Sequence, residues 1–323
     1  MNYFNVAQEM HDAVTSNFAI AGITPIGQCP AEYQFARWDG IATALHQSQR
    51  GADALIAKRV ASEIRSSRAR FERLSAAYRT VLSETWTRSK PAPAAHIFTS
   101  DKYAAYIGNE YRAVLNALYG LRDAILAATH RLGFRRQEPF NLKKLKQLIA
   151  IEATEVAKLI SDSMFSSSGD LLIDHMSLYR SIAQHCLGTT SPIFGDVYQL
   201  RRSNGPYGEL RYLVYPLYDD IEKMRAIERG ASQGVLEPPS DEEIKRFGSL
   251  GHYRDALEFC YDCFHRLLRI ADLLQQEAGI APQVLTLTEE QILELTITDA
   301  TGKVTRVGRD ENTGRLVEEE RDG

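Results

Sequence analysis

Arg180 and His185 are separated by four intervening residues in the segment LYRSIAQHCLG, Leu178 to Gly188. Their types suit one reaction well. RNA carries its own nucleophile in the 2′-hydroxyl, so cleaving it needs a base to take that proton and positive charge to stabilise the phosphorane. Histidine can be the base near neutral pH. Arginine stays charged and presents forked donors that match phosphate oxygens. The step calls for no metal and no cofactor, and the sequence shows no carboxylate cluster that would hold an ion. The competing structural reading is that Arg180 pairs with a carboxylate and His185 is hydrogen-bonded in the last turn of a helix, where the helix dipole favours a cation.

Other chemistry-bearing signatures are missing or misplaced. There is no Gly-rich phosphate loop, nucleophile elbow, HExxH or dinucleotide fingerprint. The segment CYDCFH, Cys260 to His265, has the look of a metal or haem site. Covalent haem attachment, however, needs His directly after the second Cys, where Phe264 stands. On a helix Cys260 and Cys263 share a face, whereas His265 lies about 160° from Cys263, so buried core cysteines are expected there. Arg246 and His252 in RFGSLGH repeat the Arg-to-His spacing loosely, but Gly248 and Gly251 give them no helical frame.

The segment around Arg180 resembles the signature of the HEPN superfamily, an arginine followed after four to six residues by a histidine. The likeness extends to Tyr179 before the arginine, to Gly188 after the histidine, and to the upstream stretch YRAVLNALYGLRDAILAA, Tyr111 to Ala128. It spans roughly Ser100 to Gly188, with a possible extension to the helix after Ser240. The resemblance implies a helical bundle in which two motif helices meet about a dyad, so that a homodimer forms one catalytic cleft. It also implies Arg180 and His185 as catalytic residues of an endoribonuclease, in prokaryotic antiphage defence or a toxin system with a neutralising protein partner or antitoxin. Tyr179 and Ser181 are the auxiliary candidates; Ser181 occupies a position where the family often has Asn, Asp or His. The alternative is a non-catalytic HEPN-like scaffold that binds RNA or protein.

Helical periodicity supplies the frame for these residues. Glu32 to Gln49 reads as a helix, with a kink or break at Gly51. Ala52 to Trp86 reads as one long amphipathic helix, with Val60, Ile64, Phe71, Leu74, Tyr78 and Val81 on its apolar stripe. The run Lys90-Pro91-Ala92-Pro93 then marks a linker. A helix from Ser100, as N-cap, to Leu132 is predicted next, with Gly133 as its stop. Single helices follow over Asn141 to Met164 and Asp170 to His185. Asp196 to Leu200 and Glu209 to Tyr215 alternate around SNGPYG and predict an inserted β-hairpin. Helices resume over Leu217 to Arg229 and from Ser240, with Glu243 at capping-box spacing, to Ala278. Glu294 to Thr298 and Lys303 to Val307 flank a turn and predict a second hairpin, followed by a disordered last dozen residues.

The fold class expected is therefore all-α. It comprises an amino-terminal long-helix segment (1–95), a HEPN-like bundle with the β-hairpin near 196–215 (96–282), and a small acidic β tail (283–323). A chain of 323 residues can bury such a core without covalent staples. Its four scattered cysteines fit a reducing, cytoplasmic setting. The apolar stretch Phe18 to Ile26, broken by Gly22 and Pro25, suggests neither a signal peptide nor a membrane anchor.

Net charge is −4, but the charges are segregated. Lys58 to Arg88 holds eight basic and three acidic residues, Arg131 to Lys146 six and one, and the tail from Gln283 five and ten. Arg65, Arg68, Arg135, Arg136, Lys143 and Lys144 are accordingly the candidates for RNA-backbone contact, and the tail the candidate for pairing with protein.

Overall fold

The computed structural model describes residues 30–86, 97–99, 101–185, 196–205, 208–217, 221–232, 254–282, 294–298, 304–309 and 316–321. The chain divides into two compact units, Met1–Pro282 and Gln283–Gly323. The Lys90–Pro93 linker, Cys29, Cys186, the Ser240 and Glu243 pair, and Arg246 with His252 lie outside the described residues.

The first unit is mostly helical. α1 (Pro30–Gln47) and α2 (Gly51–Trp86) form a helical hairpin through the turn at 48–50, where Gln49 takes a left-handed φ of 58°. The break expected at Gly51 is therefore a true chain reversal. α3 (Lys102–Ala128) packs along α2 and also against α6 (Leu172–His185) and α8 (Ala256–Ala278). Its stripe of Ile107, Tyr111, Val114, Leu118, Leu121 and Ile125 is fully buried, as its spacing requires. Trp38 and Ile41 of α1, Val60 and Ile64 of α2, and Leu267 and Leu274 of α8 belong to the same core.

Three predicted boundaries are corrected. Asp101, not Ser100, caps α3, because its carboxylate accepts from the Tyr103 and Ala104 N–H groups. α3 does not run as α-helix to Leu132. It gives way at Thr129 to a π-helical turn (Thr129–Gly133), with the Thr129 hydroxyl donating to the Ile125 carbonyl. Asn141 to Met164 is not one helix but two, α4 (Leu142–Ile151) and α5 (Glu155–Met164). Glu152 turns extended, the Thr154 side chain caps the Ala157 N–H, and the Val156 N–H is taken by Glu277 of α8 at 3.0 Å.

The inserted strands β2 (Tyr198–Gly205) and β3 (Gly208–Val214) pair as expected. A further strand, β1 (Ile97–Thr99), joins them in the order β1-β2-β3, with Ile97 opposite Leu200 and Leu200 opposite Leu213. α7 (Ile221–Ser232) follows and packs on α6. The second unit is an antiparallel sheet of β4 (Glu294–Thr298), β5 (Val304–Arg309) and β6 (Leu316–Arg321). The predicted two-stranded tail with a disordered end is thus corrected, since Leu316–Arg321 pairs along β5 and satisfies its backbone.

Among the described residues, no helix is long and apolar enough to cross a membrane.

Candidate functional site

The helix α6 carries both motif residues. Asp170 accepts from the Leu172 N–H at its start, and Leu171 turns left-handed with φ 48° just before it. One face of α6 presents Asp174, Ser177, Leu178 and Ser181, spaced at three, four and seven residues. With Tyr119 of α3 and Glu222, Arg225 and Arg229 of α7, these residues and Arg180 line a groove of about 660 Å³.

Arg180 stands at the edge of that face and reaches across to α3. Its Nε donates to Asn116 Oδ1 at 3.2 Å, and its guanidinium lies 4.2 Å from the centre of the Tyr119 ring. Gln184 Nε2 donates to the same Asn116 oxygen at 3.1 Å. No carboxylate pairs with Arg180 among the described residues. Its neighbours differ in this respect. Arg122 also lies over Tyr119, at 3.9 Å, but is held by Asp123 at 2.8 Å and donates to Ser177 at 2.7 Å. Arg225 meets Asp174 at 2.8 Å, and Arg266 meets Asp170 at 2.5 Å. Among the described residues, the structural reading in which Arg180 pairs with a carboxylate therefore finds no such partner.

The backbone of α6 extends through His185, whose side chain lies outside the described residues. Position 185 comes four residues after Ser181 and seven after Leu178, the next turn of the groove-lining face. Arg180 and His185 are about 140° apart by helical position, and it is the lateral reach of Arg180 over Tyr119 that brings its head group to the groove. His175, on the same helix, is half buried. Burial pushes its imidazole below the ordinary value, with the Asp174 charge opposing, which favours the neutral ring.

The auxiliary candidates separate. Ser181 lines the groove, whereas Tyr179 is turned into the core and packs edge-on against Phe259 at 5.0 Å. The proposed backbone-binding residues do not gather at the groove. Arg65 lies over the Phe35 ring at 3.9 Å, and Arg68 donates to Glu72 at 2.9 Å, both within the helical hairpin of α1 and α2. Arg135, Arg136, Lys143 and Lys144 are exposed around the π-turn and the start of α4. The groove cations Arg225 and Arg229, together with Asn116 and Tyr119, went unmarked in the sequence. Only Arg225 and Arg229 left a signal, their i, i+4 spacing on a predicted helix.

Cys260 and Cys263 are fully buried free thiols in α8, and burial pushes both well above the ordinary thiol value. His265 instead lies parallel to Tyr261, with ring centres 6.4 Å apart. Among the described residues, no group of three or more His, Cys, Asp or Glu side chains could hold a metal ion. In comparisons with family models, curated proteins and solved structures, none matches this chain.

Proposed function

We propose that this protein is an endoribonuclease of the HEPN type, cutting RNA by 2′-hydroxyl attack. The observation that supports the reading is Arg180, a cation held at a groove by an amide and an aromatic ring, with no carboxylate to neutralise it among the described residues. In the proposed step His185 takes the 2′-hydroxyl proton, the 2′-oxygen bonds to phosphorus, and the bond to the 5′-oxygen breaks. That oxygen leaves with a proton returned by an imidazolium. Arg180 binds the non-bridging oxygens as their charge grows. A homodimer would bring two such pairs into one cleft, and antiphage defence or a toxin system, with an antitoxin as protein partner, is the setting the reading favours.

Labelled RNA incubated with the native protein and with His185→Ala and Arg180→Lys, in the presence of EDTA, tests this. The native protein should yield products ending in 2′,3′-cyclic phosphate and leave DNA intact. His185→Ala should be slower by about 10²–10⁴-fold. Arg180→Lys should recover little, because a point charge does not reproduce the fork. Undiminished cleavage by folded His185→Ala refutes the assignment. Binding of RNA without cleavage favours the non-catalytic scaffold.

A further inference from the structure

Asn116 lies one helical turn before Tyr119 on α3, and its side-chain oxygen receives two donors, Arg180 Nε at 3.2 Å and Gln184 Nε2 at 3.1 Å. Two converging N–H groups fix which end of the amide faces α6, because only the oxygen can accept, and an amide oxygen has two lone pairs to fill. The Arg180 guanidinium is thereby located along one edge by Asn116 and across one face by Tyr119. Neither contact removes its charge. Arg122, on the same ring, is instead balanced by Asp123.

We infer that Asn116 is a positioning residue which holds Arg180 in a fixed orientation while leaving its charge and its two terminal nitrogens for a phosphodiester. The inference rests on the ribonuclease reading for the identity of the ligand. Neutrality is the essential property of Asn116. A carboxylate at 116 would accept the same two hydrogen bonds but pair with Arg180, and the groove would lose one effective cation. Alanine would leave the charge and release the orientation. Both replacements are compatible with the fold, since Asn116 is exposed in mid-helix and alanine is the better helix former.

Two measurements on the full-length protein test it. The first is NMR of ¹⁵N-arginine-labelled protein without nucleic acid, with the Arg180 Nε–H signal assigned by its loss in Arg180→Lys. That signal should be protected from exchange in the native protein and in Asn116→Asp, and should lose protection in Asn116→Ala. The second is the salt dependence of binding to an uncleavable single-stranded DNA. Each phosphate contact contributes about 0.7 to the logarithmic slope. Asn116→Asp should therefore lower the slope by about 0.7, as should Arg180→Gln, with affinity reduced about tenfold at low salt. Asn116→Ala should weaken binding about threefold with the slope unchanged, whereas a merely structural role of Asn116 would leave the slope of Asn116→Asp at the native value as well.

An Arg180 signal unaltered in Asn116→Ala, or native slope and affinity in Asn116→Asp, overturns the inference whatever the protein does to RNA. If these variants behave as stated yet the native protein never cuts RNA, the nuclease reading falls and the positioning role stands. A native protein that binds no oligonucleotide overturns the phosphate role itself.

Discussion

Arg131 donates from Nε to Asp53 at 2.5 Å, joining the π-turn after α3 to the first turn of α2 across 78 residues of chain. Asp53 is 4% exposed and is also met by Arg50 at 2.7 Å, while Arg131 reaches on to the Gln137 carbonyl at 2.9 Å. Burial alone would raise the Asp53 carboxyl. The hydrogen bonds and charges of Arg131 and Arg50 outweigh it and hold the group below its ordinary value of 3.8.

The ion pair has a pH signature with a defined sign. A depressed folded-state value means the stabilisation is present above about pH 4 and is lost as pH falls through the folded value. Asp53→Asn should melt at a lower temperature at pH 6 and converge on the native protein as pH falls below 3.8 and through the lowered folded-state value. Arg131→Ala, which leaves the buried carboxylate to Arg50 alone, should cost about 1.5–3 kcal/mol, the range of one hydrogen bond to a charged group. Thermal melts across this range provide the check, and a constant gap between native and Asp53→Asn would count against the pair.

Asp255 titrates in the opposite sense. It caps α8 through the Leu257 and Glu258 N–H groups, and receives the Tyr78 hydroxyl at 2.8 Å and the Tyr215 N–H at 2.9 Å. Burial pushes its carboxyl up to about 6, against the pull of these donors. A raised folded-state value means stability is highest below the unfolded value and declines as pH rises through about 6. Asp255→Asn, still able to cap, should flatten the dependence of melting temperature between pH 4 and pH 7. Asp255→Ala should cost about 1–3 kcal/mol through the lost cap and the stranded donors.

Gly108 on α3 faces Asp196, which Arg112 holds at 2.7 Å, and a side chain there would also meet the Tyr215 hydroxyl at 2.8 Å. Gly108→Ala should therefore destabilise by about 1–3 kcal/mol, although alanine is the better helix former. Gly51, with nothing within 4 Å of the corresponding position, is the control and should tolerate alanine. Denaturant midpoints of the two variants decide this, and equal tolerance would mean that Asp196 yields readily.

The proposed dimer makes a prediction of its own. If each half-site draws its arginine and histidine from different protomers, mixing Arg180→Ala with His185→Ala chains should restore part of the ribonuclease activity that each lacks alone. A strictly monomeric mass at working concentration would remove this part of the reading.

The sequence by itself determined the helices and the residues on their buried faces. The i, i+3, i+4 stripe from Ile107 to Ile125 becomes core, and Cys260 and Cys263 share the buried side of α8. These features follow from a period of 3.6 residues, which is local and survives without knowing the neighbours. Arg180 and His185 could likewise be set on one helix.

Tertiary structure decided what depends on residues far away in the chain. The break between α4 and α5 has neither Gly nor Pro to announce it. It is stabilised by Glu277, 121 residues on, accepting from the Val156 N–H. β1 is too short to read alone and exists because β2 supplies its hydrogen-bond partners. The groove has the same origin. Asn116, Tyr119, Arg225 and Arg229 look like ordinary helix-surface residues until α3 and α7 are packed on α6. Arg180 acquires its neutral direct partners only then, because Asn116, 64 residues earlier, and Tyr119 both belong to another helix.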